Sequence, residues 1–141
     1  VEETQPDKEA STQKEEESST VTMTKEVALE ITALLDTKIR RDSLYLDPEL
    51  TLAKLTRKLG VPAKQISIAV NQVHKKNISK LLNEYRIDHA KHALMTSQDS
   101  ITQIFMNSGF QTKSNFNREF SRIAGMTPSE YRKSSIQHIR K

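Results

Sequence analysis

The sequence predicts an all-α protein, and composition and periodicity carry that prediction. Three Gly, four Pro and no Trp among 141 residues supply few of the turns that a β-sandwich or a β-barrel needs. From residue 25 onward, apolar residues instead recur three or four positions apart, the spacing of amphipathic helices. The length is typical of one domain, so we expect one compact unit of packed helices.

The first helix is predicted from its apolar stripe and the next two helices from their boundary residues. Thr51 can cap a short helix that ends at Gly60. Pro62 then stands in the first turn of a following helix, where proline is tolerated. Together these signals predict a helix-turn-helix over about residues 51–74. The stripe of the first helix consists of Val27, Ile31, Leu34, Leu35 and Ile39.

The second half of the body contains similar signals. Ser79 can cap a long linker helix over about residues 79–96. A Ser-x-x-Gln capping box at Ser100 starts a short helix, and a further helix follows the glycine at 109. These features predict a second helix-turn-helix over about residues 100–124.

A last short helix is predicted around Tyr131. Thr127 is its cap, Pro128 occupies its first turn and Glu130 completes the capping box. Residues 135–141 are expected to form a basic C-terminal tail.

The charge is unevenly distributed along the chain. Residues 1–24 contain seven acidic and two basic side chains and little that is apolar, as in a disordered linker or tail. The remaining residues carry 20 Lys and Arg against 11 Asp and Glu, a net charge of +9. Because the chain begins with Val, we expect it to be part of a longer protein, the alternative being a processed terminus.

Composition and motifs also exclude several classes of function. Without cysteine there are no disulfides, thiolate zinc sites or cysteine nucleophiles, and a reducing cytoplasm is the natural location. No stretch approaches the roughly 18 apolar residues of a membrane span, and the start of the sequence does not have the charged-then-apolar pattern that resembles a signal peptide. His89 and His92, beside Asp88, supply fewer ligands than a zinc site needs. Since no phosphate-binding Gly loop or nucleophile elbow occurs, we expect neither an enzyme nor a cofactor or metal.

The two helix-turn-helix segments match each other at an offset of 49 or 50 residues. A glycine in each turn adopts positive φ cheaply, as a sharp turn between two helices requires. A linker helix of about 18 residues is about 27 Å long, close to the DNA repeat of about 34 Å. Both second helices could therefore enter adjacent major-groove segments on one face of a duplex. The matched pairs are Thr51 and Ser100, Leu52 and Ile101, Leu55 and Ile104, Gly60 and Gly109, Val61 and Phe110, Ile66 and Phe116, and Val70 and Phe120.

The outer face of the second unit carries side chains suited to DNA. Asn can pair with adenine and Arg with guanine, while Ser and Thr bind bases or phosphates. Acids are nearly absent, with Glu119 the exception on this face. A charged face is usually only solvated, but this face is biased toward neutral and cationic donors. Its members are Thr112, Lys113, Ser114, Asn115, Asn117, Arg118 and Arg122.

With these residues in view, the chain resembles the C-terminal DNA-binding domain of AraC/XylS-type bacterial transcription regulators. The resemblance covers about residues 25–134. It implies seven helices, two helix-turn-helix subdomains joined by a linker helix, and base contacts from both second helices. It is densest in Ile101-x-x-Ile104-x4-Gly109-Phe110-x5-Phe116-x-Arg118-x-Phe120-x4-Gly125-x-Thr127-Pro128-x2-Tyr131-Arg132. The family's linker helix is matched by Leu81, Tyr85, Arg86, Ala90 and Leu94.

Roles are carried over by position. The base-facing candidates are Lys113, Ser114, Asn115 and Arg118 in the second unit and Lys64, Ser67 and Ile68 in the first. Thr112, Asn117 and Arg122 are expected to contact phosphates or cap the helix. The structural candidates are Gly60, Gly109, Phe110, Phe116, Phe120, Gly125, Pro128 and Arg86, the last of which would fix the packing between subdomains.

The sequence departs from the family pattern at several positions. Family members generally have Ala where Thr56 and Phe105 stand, and often Phe where Val70 stands. Ile68 makes the outer face of the first unit poor in hydrogen-bonding groups, so this face is expected to position phosphates or contact thymine methyls.

Two function hypotheses follow. The first is sequence-specific double-stranded DNA binding by a transcription regulator; the alternative is a module whose basic face docks an acidic partner or RNA polymerase. Residues 67–71 with Asn77 resemble a subset of the family that often has an upstream multi-helix membrane domain. An upstream sensor or membrane domain of the same polypeptide is therefore expected, anchoring a cytoplasmic DNA-binding part. The chain itself is expected to be monomeric, because dimerisation in this family usually lies elsewhere.

Overall fold

The computed structural model describes residues 23–140, with side chains described through Ser135. Over this range the chain forms seven α-helices and no strand, which confirms the predicted all-α class. No helix in the same range is long and apolar enough to cross a membrane. Most of the predicted acidic linker, residues 1–22, lies outside the described residues. The helices are α1 (Lys25–Arg41), α2 (Leu52–Leu59), α3 (Ala63–His74), α4 (Ile78–Thr96), α5 (Ile101–Met106), α6 (Lys113–Ala124) and α7 (Pro128–Arg140).

The chain divides into two compact units, not the one unit expected from its length. Among the described residues, the first unit consists of residues 23–42 together with Leu50–Leu81; it contains α1, α2, α3 and the first turn of α4. The second unit consists of Ser43–Glu49 and the residues from Leu82 onward; it contains the rest of α4 with α5, α6 and α7. Each unit therefore holds one helix-turn-helix pair.

Aliphatic contacts between α1 and α3 form the core of the first unit. Ala28 and Ile31 of α1 pack with Ala69 of α3, and all three are buried. The predicted stripe on α1 is wrong at two positions, since Val27 and Leu34 are 42% and 40% exposed. The buried face is rotated toward Ala28, whose small side chain lets the two helices approach closely.

Met23 and Thr24, which precede the predicted boundary at residue 25, are bonded to helices of the first unit. The Met23 N–H donates to Gln72 Oε1 at 3.2 Å, and Gln72 Nε2 donates back to the Met23 carbonyl at 2.9 Å. Thr24 Oγ1 caps α1 by accepting the N–H of Val27 at 3.2 Å. These bonds attach the start of α1 to α3.

Aromatic rings, together with buried aliphatic side chains of α4 and α5, form the core of the second unit. Phe116 and Phe120 of α6 are fully buried, with ring centroids 5.8 Å apart. Phe110 meets Phe116 edge-on at 5.4 Å, and Tyr131 of α7 meets Phe120 edge-on at 5.6 Å. Edge-to-face pairs of this kind add to the stabilisation from burial.

Side-chain caps fix the starts of most helices. Thr51, Ser100 and Thr112 each accept a backbone N–H from the first turn of α2, α5 and α6. Thr127 and Glu130 form a reciprocal capping box at α7, with N···O distances of 3.2 and 2.9 Å. The bonds satisfy backbone donors that a helix start otherwise leaves unpaired.

Two predicted helix starts are wrong by one or two residues. The linker helix α4 begins at Ile78, and it is Asn77 that caps it, through Oδ1 accepting the Lys80 N–H at 2.9 Å. The predicted cap, Ser79, lies inside the first turn. Pro62 precedes α3 as its N-cap residue and does not occupy its first turn. Since Asn is as good a cap as Ser, the sequence was compatible with a start of α4 after either Asn77 or Ser79.

The last helix is longer than predicted. It runs 13 residues from Pro128 to Arg140, so residues 135–140 continue the helix and are not a separate tail. No Pro or Gly follows Pro128, and the chain therefore has no residue there that terminates a helix.

A short segment between α1 and α2 packs within the second unit. This segment, Ser43–Glu49, is called the strap below. Arg86 of α4 binds it: Nε donates to the Tyr45 carbonyl at 2.7 Å and Nη2 donates to the Asp47 carbonyl at 3.0 Å. Burial lowers the pKa of the Arg86 guanidinium, and the nearby Asp47 charge acts in the opposite direction.

The strap explains why Gly109 stands in the turn between α5 and α6. Gly109 has φ +89°, and a Cβ there would collide with the Tyr45 carbonyl oxygen and lie 3.0 Å from Arg86 Nε. The Arg86 guanidinium also lies 5.9 Å from the centroid of the Phe110 ring. Gln111 donates to a further strap carbonyl at 2.9 Å. The turn before α6 is thus held in place by contacts with the strap and with Arg86.

Candidate nucleic-acid interface

The helix α6 is fixed on one side by its core residues and at its start by a cap. Phe116 and Phe120 point into the aromatic core, and Pro128, at the start of α7, is buried as well. Thr112 Oγ1 accepts the N–H of Asn115 at 3.1 Å. A helix held in this way presents the same residues to solvent at all times, as a recognition surface requires.

The opposite side of α6 carries exposed polar and basic side chains. Lys113, Ser114, Asn117 and Arg118 are exposed, and Asn115 is half-buried. These residues are called the α6 face below. They occupy the first half of the helix, the part that contacts base edges when a recognition helix lies in the major groove.

Two hydrogen bonds orient side chains of the α6 face. Arg118 Nη2 donates to Asn115 Oδ1 at 3.1 Å, which aligns the two side chains one turn apart. Lys113 Nζ donates to Thr102 Oγ1 of α5 at 3.2 Å. Both bonds are at the surface, so they are easily exchanged for bonds to a ligand.

Glu119 does not lie on the outer face, and the sequence-based placement of this residue is wrong. It is only 4% exposed, because it follows Phe116 by three residues and precedes Ile123 by four, which places it on the buried side of the helix. Its Oε1 accepts N–H bonds from Arg122 Nη2 at 2.7 Å and from Arg122 Nε at 3.1 Å. Arg122 is therefore held by a buried carboxylate, while 40% of its side chain remains exposed.

The corresponding helix of the first unit exposes fewer of its predicted base-facing residues. Lys64 is exposed, whereas Ser67 and Ile68 are half-buried. Gln72, one turn after Ile68, bonds the backbone of Met23. Other polar residues of α3, Gln65 and Asn71, are exposed.

The glycines at helix ends differ in how strongly the structure requires them. Gly60 and Gly125 have φ of +73° and +76° with nothing within 4 Å of an added Cβ, so only their backbone conformation favours glycine. At Gly109 both the conformation and the contact with the strap exclude a side chain.

Arg132 is a structural contact that the sequence reasoning did not assign. Its Nε donates to the Leu94 carbonyl at 3.2 Å and its Nη2 to the Ser97 carbonyl at 3.1 Å. These carbonyls lie at the C-terminal end of α4, where a cation also interacts favourably with the helix dipole. A basic residue one turn into α7 was the available signal.

The two positions at which the family generally has Ala are accommodated differently. Phe105 packs on Phe116, with ring centroids 5.8 Å apart, and so enlarges the aromatic core. Thr56 Oγ1 is buried and has no hydrogen-bond partner in the described part of the chain. Nothing in the structure explains why Thr stands here in place of Ala.

The histidine pair on α4 does not form a metal site within residues 23–135. The structure shows no group of three or more potential ligands in that range. His89 lies against Tyr45, with ring centroids 5.9 Å apart. Burial, and secondarily the neighbouring His92, lower the pKa of His89.

Comparison with known proteins identifies the class to which this fold and surface belong. A family model described as a helix-turn-helix domain matches residues 55–134, which is more than half of the chain. Similar solved structures include AraC-type DNA-binding domains of transcription regulators. The chain therefore belongs to the AraC-type helix-turn-helix family of DNA-binding transcription regulators, which is not a family of enzymes.

Two solved structures show the similarity of fold. A DNA-binding transcriptional dual regulator from Escherichia coli K-12 is 25% identical, with a TM-score of 0.65 over 76% of this chain and 93% of that chain. The C-terminal domain of the two-component response regulator yesN from Fusobacterium nucleatum is 26% identical, with a TM-score of 0.62 over 72% and 96% of the two chains.

Sequence relatives are much longer than this chain. An uncharacterized HTH-type transcriptional regulator, SAS0078 of Staphylococcus aureus, is 29% identical over 89 residues, which is 63% of this chain and 12% of that protein. The chain thus matches only about an eighth of the length of such relatives.

Proposed function

We propose that the chain binds double-stranded DNA sequence-specifically, with α3 and α6 entering the major groove as the recognition helices of a transcription regulator. The observation that carries the proposal is the α6 face, a set of exposed donors on a helix whose other side is locked by Phe116 and Phe120. Donors on a rigid helix face can match the hydrogen-bond pattern of base edges.

Within the α6 face we assign different roles to different residues. Arg118 suits bidentate recognition of guanine, and Asn115, to which it is bonded, suits adenine. Lys113 and Ser114, at the start of the helix, are assigned to base edges as well. Thr112, Asn117 and Arg122 lie at the margins of the face and are assigned to phosphates.

The helix α3 is assigned a smaller share of sequence readout. Lys64 is its exposed cation, while Ser67 and Ile68 are half-buried. Ile68 can contact a thymine methyl group and Lys64 can contact a phosphate. The second unit then provides most of the discrimination between sequences.

For the whole protein we propose a bacterial transcription regulator in which this DNA-binding part follows an upstream sensor or membrane domain. The support is the small share, 12%, of the S. aureus relative that the chain matches. We further propose that the chain by itself binds DNA as a monomer, since it already contains two helix-turn-helix pairs.

Selection of bound duplexes from a random-sequence pool tests the proposal. The expected product contains two half-sites about 10 base pairs apart, one more strictly defined than the other. Repeating the selection with Arg118→Ala should relax one position in the strict half-site, whereas Met106→Ala, on an exposed apolar residue of α5, is the matched control. Recovery of no common sequence would contradict the proposal.

Salt dependence separates this function from docking of an acidic protein or RNA polymerase. Duplex binding should weaken log-linearly with salt, with a slope of about −0.9 per phosphate contacted. If an acidic protein surface bound more tightly than any selected duplex across the same salt range, the docking hypothesis would be favoured.

A further inference from the structure

The pair formed by Glu119 and Arg122 is unusual for a DNA-contacting helix. A carboxylate near a nucleic acid is repelled by the phosphates, and a carboxylate 4% exposed has also lost most of its hydration. Such a burial is costly unless the charge is paired and hydrogen-bonded. Arg122 supplies that pairing through two N–H bonds to one oxygen.

The pair fixes the guanidinium in one orientation. Charge-assisted bonds of 2.7 and 3.1 Å from Nη2 and Nε to Glu119 Oε1 restrict the rotation of a side chain that otherwise has many rotamers. The anchor, Glu119, is buried on α6, three residues after Phe116. With 40% of its side chain exposed, Arg122 remains accessible to a ligand from solvent.

The position of the pair suits a phosphate better than a base. Arg122 lies in the last turn of α6, one helical turn beyond Arg118 and beyond the part of a recognition helix that reads bases. A planar guanidinium held at this margin matches the geometry of a phosphate oxygen pair.

The equivalent residues of the first unit show that the pair is not required by the fold. At the offset of 50 residues, Ala69 corresponds to Glu119 and Gln72 corresponds to Arg122. Ala69 packs against α1, and Gln72 bonds the Met23 backbone. The same helix-turn-helix backbone is therefore built with two neutral residues at these positions.

We infer that Glu119 is a positioning residue for DNA binding, whose buried carboxylate holds the Arg122 guanidinium toward a backbone phosphate beside the groove that α6 enters. The inference rests on the proposed function. Arg122 makes the contact, and Glu119 acts only through Arg122.

A double-mutant cycle tests the inference on a fluorescently labelled duplex recovered by the selection described above. Arg122→Ala should weaken binding about tenfold and reduce the magnitude of the salt slope by about 0.9. Glu119→Gln, which keeps the shape of the buried side chain, should weaken binding about threefold to fivefold in the natural chain and less than twofold in the Arg122→Ala background. Glu49→Gln, the same change at an exposed acid of the second unit, should not weaken binding.

The outcomes separate a positioning role from the alternatives. A merely structural role predicts that Glu119→Gln lowers the melting temperature and weakens binding equally with and without Arg122. A merely repulsive carboxylate predicts that Glu119→Gln tightens binding. Either result would overturn the inference and leave the proposed function intact. If Glu119→Gln is unfolded, Arg122→Lys provides the second test, because it keeps the charge and loses the planar fork; binding equal to that of the natural chain would overturn the inference. Failure of the natural chain to bind any duplex would overturn the proposed function first and the inference with it.

Discussion

The two units have the same helix-turn-helix backbone but differ in the contacts that hold the second helix of each. In the first unit, α3 is packed against α1 through Ala69 and bonded to the Met23 backbone through Gln72. In the second unit, α6 is held by aromatic contacts with its neighbours, and Ser114, Asn117 and Arg118 on its outer side are exposed. The comparison teaches that two copies of one repeat can be held by different sets of contacts.

The cores of the two units differ in the same direction. The first unit buries aliphatic side chains such as Ile66 and Val70, and the second buries Phe116 and Phe120 at the matched positions. Larger rings bury more apolar area for each residue. The second unit can therefore be stable although α6 exposes a row of polar side chains.

The largest expected effect is on the aromatic core. Phe116→Ala should lower the free energy of unfolding of the second unit by roughly 3–5 kcal/mol. Urea unfolding should be followed by tyrosine fluorescence, since Tyr45, Tyr85 and Tyr131 all belong to the second unit, and in parallel by circular dichroism, which reports both units. Phe120→Ala should behave in the same way, and an unchanged fluorescence midpoint for both variants would show that these rings do not support the unit.

The next effect distinguishes the two turns. Gly109→Ala should destabilise by roughly 2–5 kcal/mol, because it combines left-handed strain with a collision against the Tyr45 carbonyl. Gly60→Ala, in an open environment, should cost only about 1–2 kcal/mol. Thermal unfolding of the two variants provides the comparison. Equal losses of stability would mean that the strap moves away from the added Cβ at no cost in free energy.

A third effect compares α3 and α6, the two helices proposed to contact bases. Arg118→Ala should weaken binding to the selected duplex by about 1–3 kcal/mol and relax the preference at one base pair. Ile68→Ala, at the matched position of α3, should cost less than about 1 kcal/mol, because a thymine methyl contact is weaker than a bidentate bond. Anisotropy titrations against the selected duplex and its single-base variants measure both; a larger effect at Ile68 would reverse the assignment of the two units.

The smallest effect concerns the ends of α3 and α6. Lys75 adopts φ +61° where the second unit has Gly125 at φ +76°. Lys75→Gly should stabilise the first unit by roughly 0.5–1 kcal/mol, since glycine adopts this conformation without steric cost. Thermal unfolding measures the change, and DNA binding by this variant gives a control for the loss of one positive charge. A decrease in stability would indicate that the Lys75 side chain contributes more than its backbone conformation costs.

Local features of this fold were predictable from the sequence, because local signals determine them. The caps at Thr51 and Ser100, and the helical spacing of apolar residues in α6, depend on residues at most a few positions apart. The phase of α1 was harder to predict. Val27 and Leu34 extend its apolar stripe beyond one helix face, so the sequence did not specify which edge of the stripe is buried, and contact with Ala69 decides it.

The features that the sequence did not reveal depend on distant or paired residues. Tyr45 and Arg86 are 41 positions apart, and no periodicity connects a carbonyl with a guanidinium at that distance. Glu119 carried a usable signal, because it follows Phe116 by three residues and precedes Ile123 by four, a spacing that places it inward. Its charge argued for the surface, and only the bond to Arg122 shows how the burial is tolerated.

The strap precedes α2 in the sequence but belongs to the second unit, so it is synthesised long before the groups that it binds. Tyr45 leaves the ribosome about 40 residues before Arg86, its partner, and Pro48 precedes Gln111 by 63 residues. During synthesis the first unit can close around α1, α2 and α3 while the strap still lacks the groups it binds. A gene fragment that starts at α4 would for the same reason encode a second unit without the strap, and Arg86 would lose both of its carbonyl partners.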